Sequence, residues 1–101
     1  VIGYNNSMIK SFKHKGLESY FLTGNKKGIQ AIHAEKLARI LAVLDNICDI
    51  KDLSSPVYRL HQLSGNLQGL WSVTVQANWR VTFKYEPETN NVYIVDYQDY
   101  H

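Results

Sequence analysis

A chain of 101 residues, 45% of them apolar, has the material for one domain with one modest core. Its formal charge of +2 makes no case by itself for nucleic acid, and its single cysteine, Cys48, excludes an internal disulfide or a cysteine metal cluster. No apolar run approaches the ~20 residues of a membrane span and no signal peptide is visible, so the expected location is cytoplasmic.

Val1 to Ser7 has turn composition, and Met8 opens a clear pattern. Residues 1–7 therefore read as a leader or cloning remnant and residues 8–101 as the domain. Met8 to Phe12 suits a short first strand. A first helix is expected over Lys15 to Leu22, with Leu17, Tyr20 and Phe21 inward and Gly24 as its stop. The second helix, Ala31 to Ile47, is the clearest helical signal. Leu37, Ile40, Leu41, Leu44 and Ile47 recur at three- and four-residue steps, while Glu35, Lys36, Arg39 and Asp45 ride the other side. Cys48, near its end, reads as a buried inert thiol, and His14 and His33 read as ordinary surface residues.

Asp49 to Pro56 is a connector with a short helical turn, leading to a strand near Val57 to His61 and a loop at Gly65 to Gly69. Two strongly alternating runs follow. Trp71, Val73 and Val75 oppose Ser72, Thr74 and Gln76; Trp79, Val81, Phe83 and Tyr85 oppose Arg80, Thr82 and Lys84. Ala77-Asn78 links them as a tight hairpin in which the asparagine tolerates a left-handed backbone. Glu86 to Asn91 makes the next turn, and Val92 to Tyr97 the last strand. The expected fold is a small α+β domain: an N-terminal strand and two helices packed on one face of a mostly antiparallel, twisted sheet.

A period of two sets Arg80 on the wet face of that sheet, where a rigid strand holds it in a manner suited to anion recognition. Arg59 and Lys84 lie in the same region and allow a basic face; a merely solvated surface is the plainer alternative. No His, Asp and Glu spacing matches a metal motif and no glycine-rich phosphate loop appears. His61 and His101 beside an arginine suit one reaction, metal-independent cleavage of RNA. A base deprotonates the ribose 2′-hydroxyl, an acid protonates the departing 5′ oxygen, and a fixed cation stabilises the phosphorane. Tyr97 and Tyr100 could stack a splayed base or donate a hydroxyl.

Met8-Ile9-Lys10-Ser11-Phe12, Tyr58-Arg59-Leu60-His61, Gly69-Leu70-Trp71-Ser72-Val73, Asn78-Trp79-Arg80-Val81-Thr82-Phe83 and the terminal Asp99-Tyr100-His101 resemble the HigB family of bacterial toxins, within the RelE/ParE superfamily. The resemblance spans Met8 to His101. It implies a toxin that cleaves messenger RNA in the ribosomal A site of the 30S subunit without a cofactor. It also implies a HigA-type helix-turn-helix antitoxin that holds the toxin inactive, the pair reaching operator DNA only as a complex. Carried over by motif, the catalytic set is His61, Arg80, Asp99, Tyr100 and His101, with Arg59, Lys84 and Tyr97 expected to hold substrate. Arg80 would stabilise the phosphorane, His61 and His101 would divide the base and acid duties, Tyr100 would orient the base or the hydroxyl, and Asp99 would hold His101 or Tyr100. One position departs from the family pattern: relatives often carry lysine where Ser64 stands in Leu63-Ser64-Gly65. The alternative is a ParE-like toxin that binds DNA gyrase and is no nuclease. Removal of Tyr100-His101 is expected to abolish toxicity with the fold intact; growth arrest by the truncated chain at matched expression would count against the site.

Overall fold

The computed structural model describes residues 6–99. In chain order these form helix α1 (Lys15–Thr23), helix α2 (Ala34–Asp45), and strands β1 (His61–Gln62), β2 (Leu70–Gln76), β3 (Trp79–Glu86) and β4 (Asn91–Asp99). Short 3₁₀ turns at Ala31–His33, Ile50–Leu53 and Gly65–Leu67 fill the connections. Neighbouring strands pair antiparallel in the order β1-β2-β3-β4, and the helices cover one face, so the α+β expectation holds. No helix among the described residues is long and apolar enough to cross a membrane.

Local chemistry explains each helix end. His14 caps α1, its Nδ1 accepting the Leu17 N–H at 2.9 Å. Gly24 closes it at φ 79°, donating its N–H to the Tyr20 carbonyl. Helix α2 buries Leu37, Ile40, Leu41 and Leu44 against Val73, Val81, Phe83, Val92 and Val95 of the sheet. The helical turns begin at Ala31 as the periodicity predicts, but the α-helix ends at Asp45. Cys48 thus falls in the following loop and is exposed, not buried.

The ends of the chain's strands depart from simple alternation. Met8 to Phe12 runs alongside β4 but makes only two isolated parallel bridges, Ile9 to Val92 and Phe12 to Val95, because β4 bulges between them. The bulge leaves Ile94 at φ 50° and exposed, and brings Val92, Val95 and Tyr97 all into the core. The expected strand over Val57 to His61 is cut to its last residue plus Gln62, since Arg59 adopts φ 47° and turns the backbone out of the ladder. In the β2–β3 hairpin the left-handed residue is Ala77, φ 50°, in place of Asn78. Of the segment read as a leader, residues 1–5 lie outside the described residues. Ser7 is buried, its hydroxyl accepting the Ile9 N–H, and the Met8 N–H donates to the Asp45 carbonyl.

The first turn of α1 lies flat against the loop before α2. A Cβ on Gly28 would stand 2.4 Å from the Gly16 Cα, and one on Gly16 would stand 2.7 Å from the Gly28 Cα. Both obstacles are backbone, so a methyl there forces the two segments apart. Gly28→Ala is expected to destabilise the fold by about 1–3 kcal/mol, the usual range for overpacking. That corresponds to a fall in Tm of at least about 4 °C in a thermal melt.

Candidate functional site

The face of the sheet away from the helices is ordered by strand register. One row runs His61–Ser72–Thr82–Asp96, the next Thr74–Arg80–Gln98, and on the other side Leu70–Lys84–Tyr93. His61, Arg80 and Lys84 therefore share one face, as the period-two reading requires. His61 and Arg80 stand two strands and two residues apart, about 12 Å between Cα atoms at ordinary strand spacings, a gap that their side chains and a substrate can bridge.

That face is drier than alternation alone suggests. Ser72 and Thr82 are 1% and 3% exposed, and Arg80 is half-buried. Ser72 Oγ, in the row of His61, has no hydrogen-bond partner among the described residues. Arg80 is fixed from the neighbouring strand, its Nη1 donating to Thr74 Oγ1 at 2.6 Å. His61 is exposed, and its Nδ1 lies 2.9 Å from the Arg59 carbonyl. A carbonyl only accepts, so Nδ1 carries the proton in that bond, and Nε2 is the ring nitrogen left for another partner.

Beside Arg80 opens a cleft of about 500 Å³ lined by Lys36, Val57, Arg59, Thr74, Gln76 and Arg80, among others. Arg59, expected to hold substrate, is thereby brought next to Arg80; Lys84 is exposed at the far end of the same face. Lys36, read from the sequence as part of a solvated helix side, is the residue of this cleft that periodicity could not find. Its neighbours arrive from the turn before β1 and from β2 and β3. Ser64 lines a separate cleft with Gln62, Leu63, Gly65, Gln68 and Gly69, none of which carries a charge.

The remaining expected residues divide. Asp99 ends β4 opposite Trp79, and this pairing directs it to the Trp79 side of the strand and away from the side of Arg80 and Gln98. Tyr100 and His101 lie outside the described residues. Tyr97 is removed from any substrate: it is 3% exposed and faces the helices. Its hydroxyl accepts the Gln30 N–H at 3.3 Å and donates to His33 Nδ1 at 2.7 Å, while His33 Nε2 donates to Gln76 Oε1 at 2.8 Å. His33, expected on the surface, is thus 3% exposed and ringed by Tyr97 and Trp79. No group of three or more His, Cys, Asp or Glu among the described residues could hold a metal ion.

Comparison with known proteins points one way. The family model described as the RelE-like toxin of type II toxin–antitoxin system HigB matches residues 10–101. Endoribonuclease HigB of Proteus vulgaris is 43% identical to this chain over 94 residues, covering 93% of this chain and 100% of the relative.

Burial raises the Tyr97 hydroxyl above its ordinary value, with the Gln30 N–H opposing; Tyr85 is raised by burial and by Asp49, Asp52 and Cys48. An unfolded chain ionises such tyrosines near about pH 10 while the folded chain still holds the proton. Their contribution to stability is therefore intact below that pH and is lost as pH rises beyond it. Tyr97→Phe is expected to flatten the alkaline fall in urea midpoints. At neutral pH it should cost about 1–3 kcal/mol, because His33 Nδ1 loses its donor. An unchanged alkaline slope would show that Tyr97 does not carry it.

Proposed function

This chain belongs to the HigB-like toxins, RelE-like members of type II toxin–antitoxin systems, and from that membership we propose that it is a ribosome-dependent endoribonuclease. Its substrate is messenger RNA in the A site of the 30S subunit, and it works without a metal. A HigA-type helix-turn-helix antitoxin holds it inactive, and operator DNA is reached only through that complex. The observation that carries the reading is the shared sheet face. An outward imidazole, His61, and an arginine held on a rigid strand, Arg80, stand together on a surface that also carries Lys84 and Arg59. The 43% identity to a protein named for endoribonuclease activity supports the same class.

In the proposed reaction His61 Nε2 takes the proton of the 2′-hydroxyl, the role left open when Nδ1 is committed to the Arg59 carbonyl. The 2′ oxygen bonds to phosphorus, and Arg80 stabilises the negative charge on the phosphorane oxygens with its remaining N–H groups. The bond from phosphorus to the 5′ oxygen then breaks and that oxygen is protonated, leaving a cyclic 2′,3′-phosphate and a 5′-hydroxyl. His101 is assigned the acid role, Tyr100 orients the nucleotide and Asp99 supports the terminal pair. The ribosome supplies the positioning that so small a protein lacks.

Mapping of message 5′ ends on programmed ribosomes tests this directly. Cuts at A-site codons are expected from the wild type. Arg80→Ala should slow them about 10²- to 10³-fold, as when an oxyanion donor is lost, and His61→Ala about 10²- to 10⁴-fold. Intact message from a protein that still arrests growth would move the search to gyrase.

A further inference from the structure

The cleft beside Arg80 holds three cations and no carboxylate among the described residues that line it. The ion pairs between Lys15 and Glu18 and between Arg39 and Glu35 lie elsewhere. Its walls come from different parts of the chain. Helix α2 supplies Lys36, the left-handed turn before β1 supplies Arg59, and β3 supplies Arg80. Two of the cations are held in place before any ligand arrives. Lys36 Nζ donates to the Val57 carbonyl at 2.8 Å and sits 5.9 Å from the centre of the Tyr58 ring, with two N–H groups left for a ligand. Arg80 is anchored on Thr74. Burial, and then the charges of Arg39 and Arg59, lower Lys36 from its ordinary value, which places Arg59 within electrostatic reach of it.

A concave set of preorganised cationic donors, with no carboxylate among the described residues that line it, is a site for an anion. The cleft is also continuous with the catalytic face. It shares Arg80, and the same Arg59 whose side chain lines it offers its carbonyl to His61. We propose that Lys36 and Arg59 form, with Arg80 as their shared wall, a subsite for a backbone phosphate of RNA that flanks the bond being cut. The inference rests on the nuclease reading and extends it to α2, a helix that otherwise only packs. A phosphate there fixes the register of the strand across His61 and Arg80. Rate is then set by those two residues and grip by Lys36 and Arg59.

The probes are a short RNA with 2′-methoxy groups, which cannot be cut, and vacant ribosomes; binding of the full chain to each is measured against salt. Lys36→Gln and Arg59→Gln are expected to weaken binding several-fold and to lower the slope of log affinity against log salt by about 0.7 for a single strand. Lys36→Arg should keep the slope, and Lys27→Gln, an exposed cation away from the cleft, should leave it unchanged. A lowered slope with the oligonucleotide assigns the phosphate to message, and one with ribosomes alone assigns it to ribosomal RNA; both support the subsite. An unchanged slope in both arms overturns it, as does an equal fall in Lys27→Gln. Loss of poly-glutamate binding with RNA binding intact also overturns it and gives the cleft to an acidic protein segment. Failure of the nuclease reading looks different: the slopes change as expected, yet the wild type cuts no message on programmed ribosomes.

Discussion

Strand β3 is bonded on both sides, to β2 through the Thr74–Arg80 pair and to β4 through the Arg80–Gln98 pair. Val81 and Phe83 are fully buried under α2, and with a period of two their burial forces Arg80, Thr82 and Lys84 to the other face. A slip of one residue would exchange these sets and drive a guanidinium into the core without a partner, a cost far larger than any surface contact could offset. Core packing and site assembly are therefore one event. The helices pack on the opposite face, yet by claiming Val81 and Phe83 they decide which way Arg80 points.

That register survives only because two irregularities absorb mismatches at its ends. One extra residue in β2, near Val75, and one in β4, at Ile94, re-phase the strands so that Val75, Val92, Val95 and Tyr97 all bury. A left-handed backbone at a β-branched residue costs on the order of 1–3 kcal/mol. At Ile94 it is held by the Ser11 hydroxyl, which accepts the Ile94 N–H at 2.8 Å, and by the adjoining bond from Val95 to the Ser11 carbonyl. The N-terminal segment thus acts as a clamp on the bulge. Its two bridges straddle Ile94, which explains why it never becomes a regular strand. Near the other end of β4, the chain of hydrogen bonds from Gln30 through Tyr97 and His33 to Gln76 ties the entry to α2 and the end of β2 to the strand that leads toward the terminal triplet.

The parts that could be read from the sequence are those in which neighbours in the chain are also neighbours in function. The steps of three and four in α2 and the alternation in β2 and β3 are local signals, and they located the core and the face of Arg80 correctly. Arg59 was misjudged as a strand residue because its left-handed backbone has no signature in a non-glycine side chain. His33 and Tyr97 were misjudged because their partners lie 64 residues apart in sequence, and a tyrosine hydroxyl meant for a buried histidine looks like one free for substrate. Lys36 escaped notice for the same reason. On its own helix it is one polar residue among several, and only the folding of Val57 to Arg59 against α2 makes it part of a cleft. Tyr100 and His101 were singled out by the chemistry of their side chains, whereas Asp99 was joined to them by family motif alone, since neither period nor charge distinguishes it.

A formal charge of +2 understates what this surface can do electrostatically. At the Arg80 end of the β2–β3 hairpin stand Lys36, Arg59 and Arg80; near Tyr85, toward its other end, stand Asp49 and Asp52, whose charges add to burial in raising that hydroxyl. From Arg80 to Glu86 along β3 is six residues, roughly 20 Å of extended chain. This is more than twice the screening length of about 8 Å at physiological ionic strength. Charges that cancel in the sum therefore do not cancel in space, and an approaching polyanion meets the basic end as an isolated positive patch. A small net charge arranged in this way suits the proposed dependence on the ribosome, because it limits adhesion to RNA in bulk while leaving a basic patch for a phosphate chain.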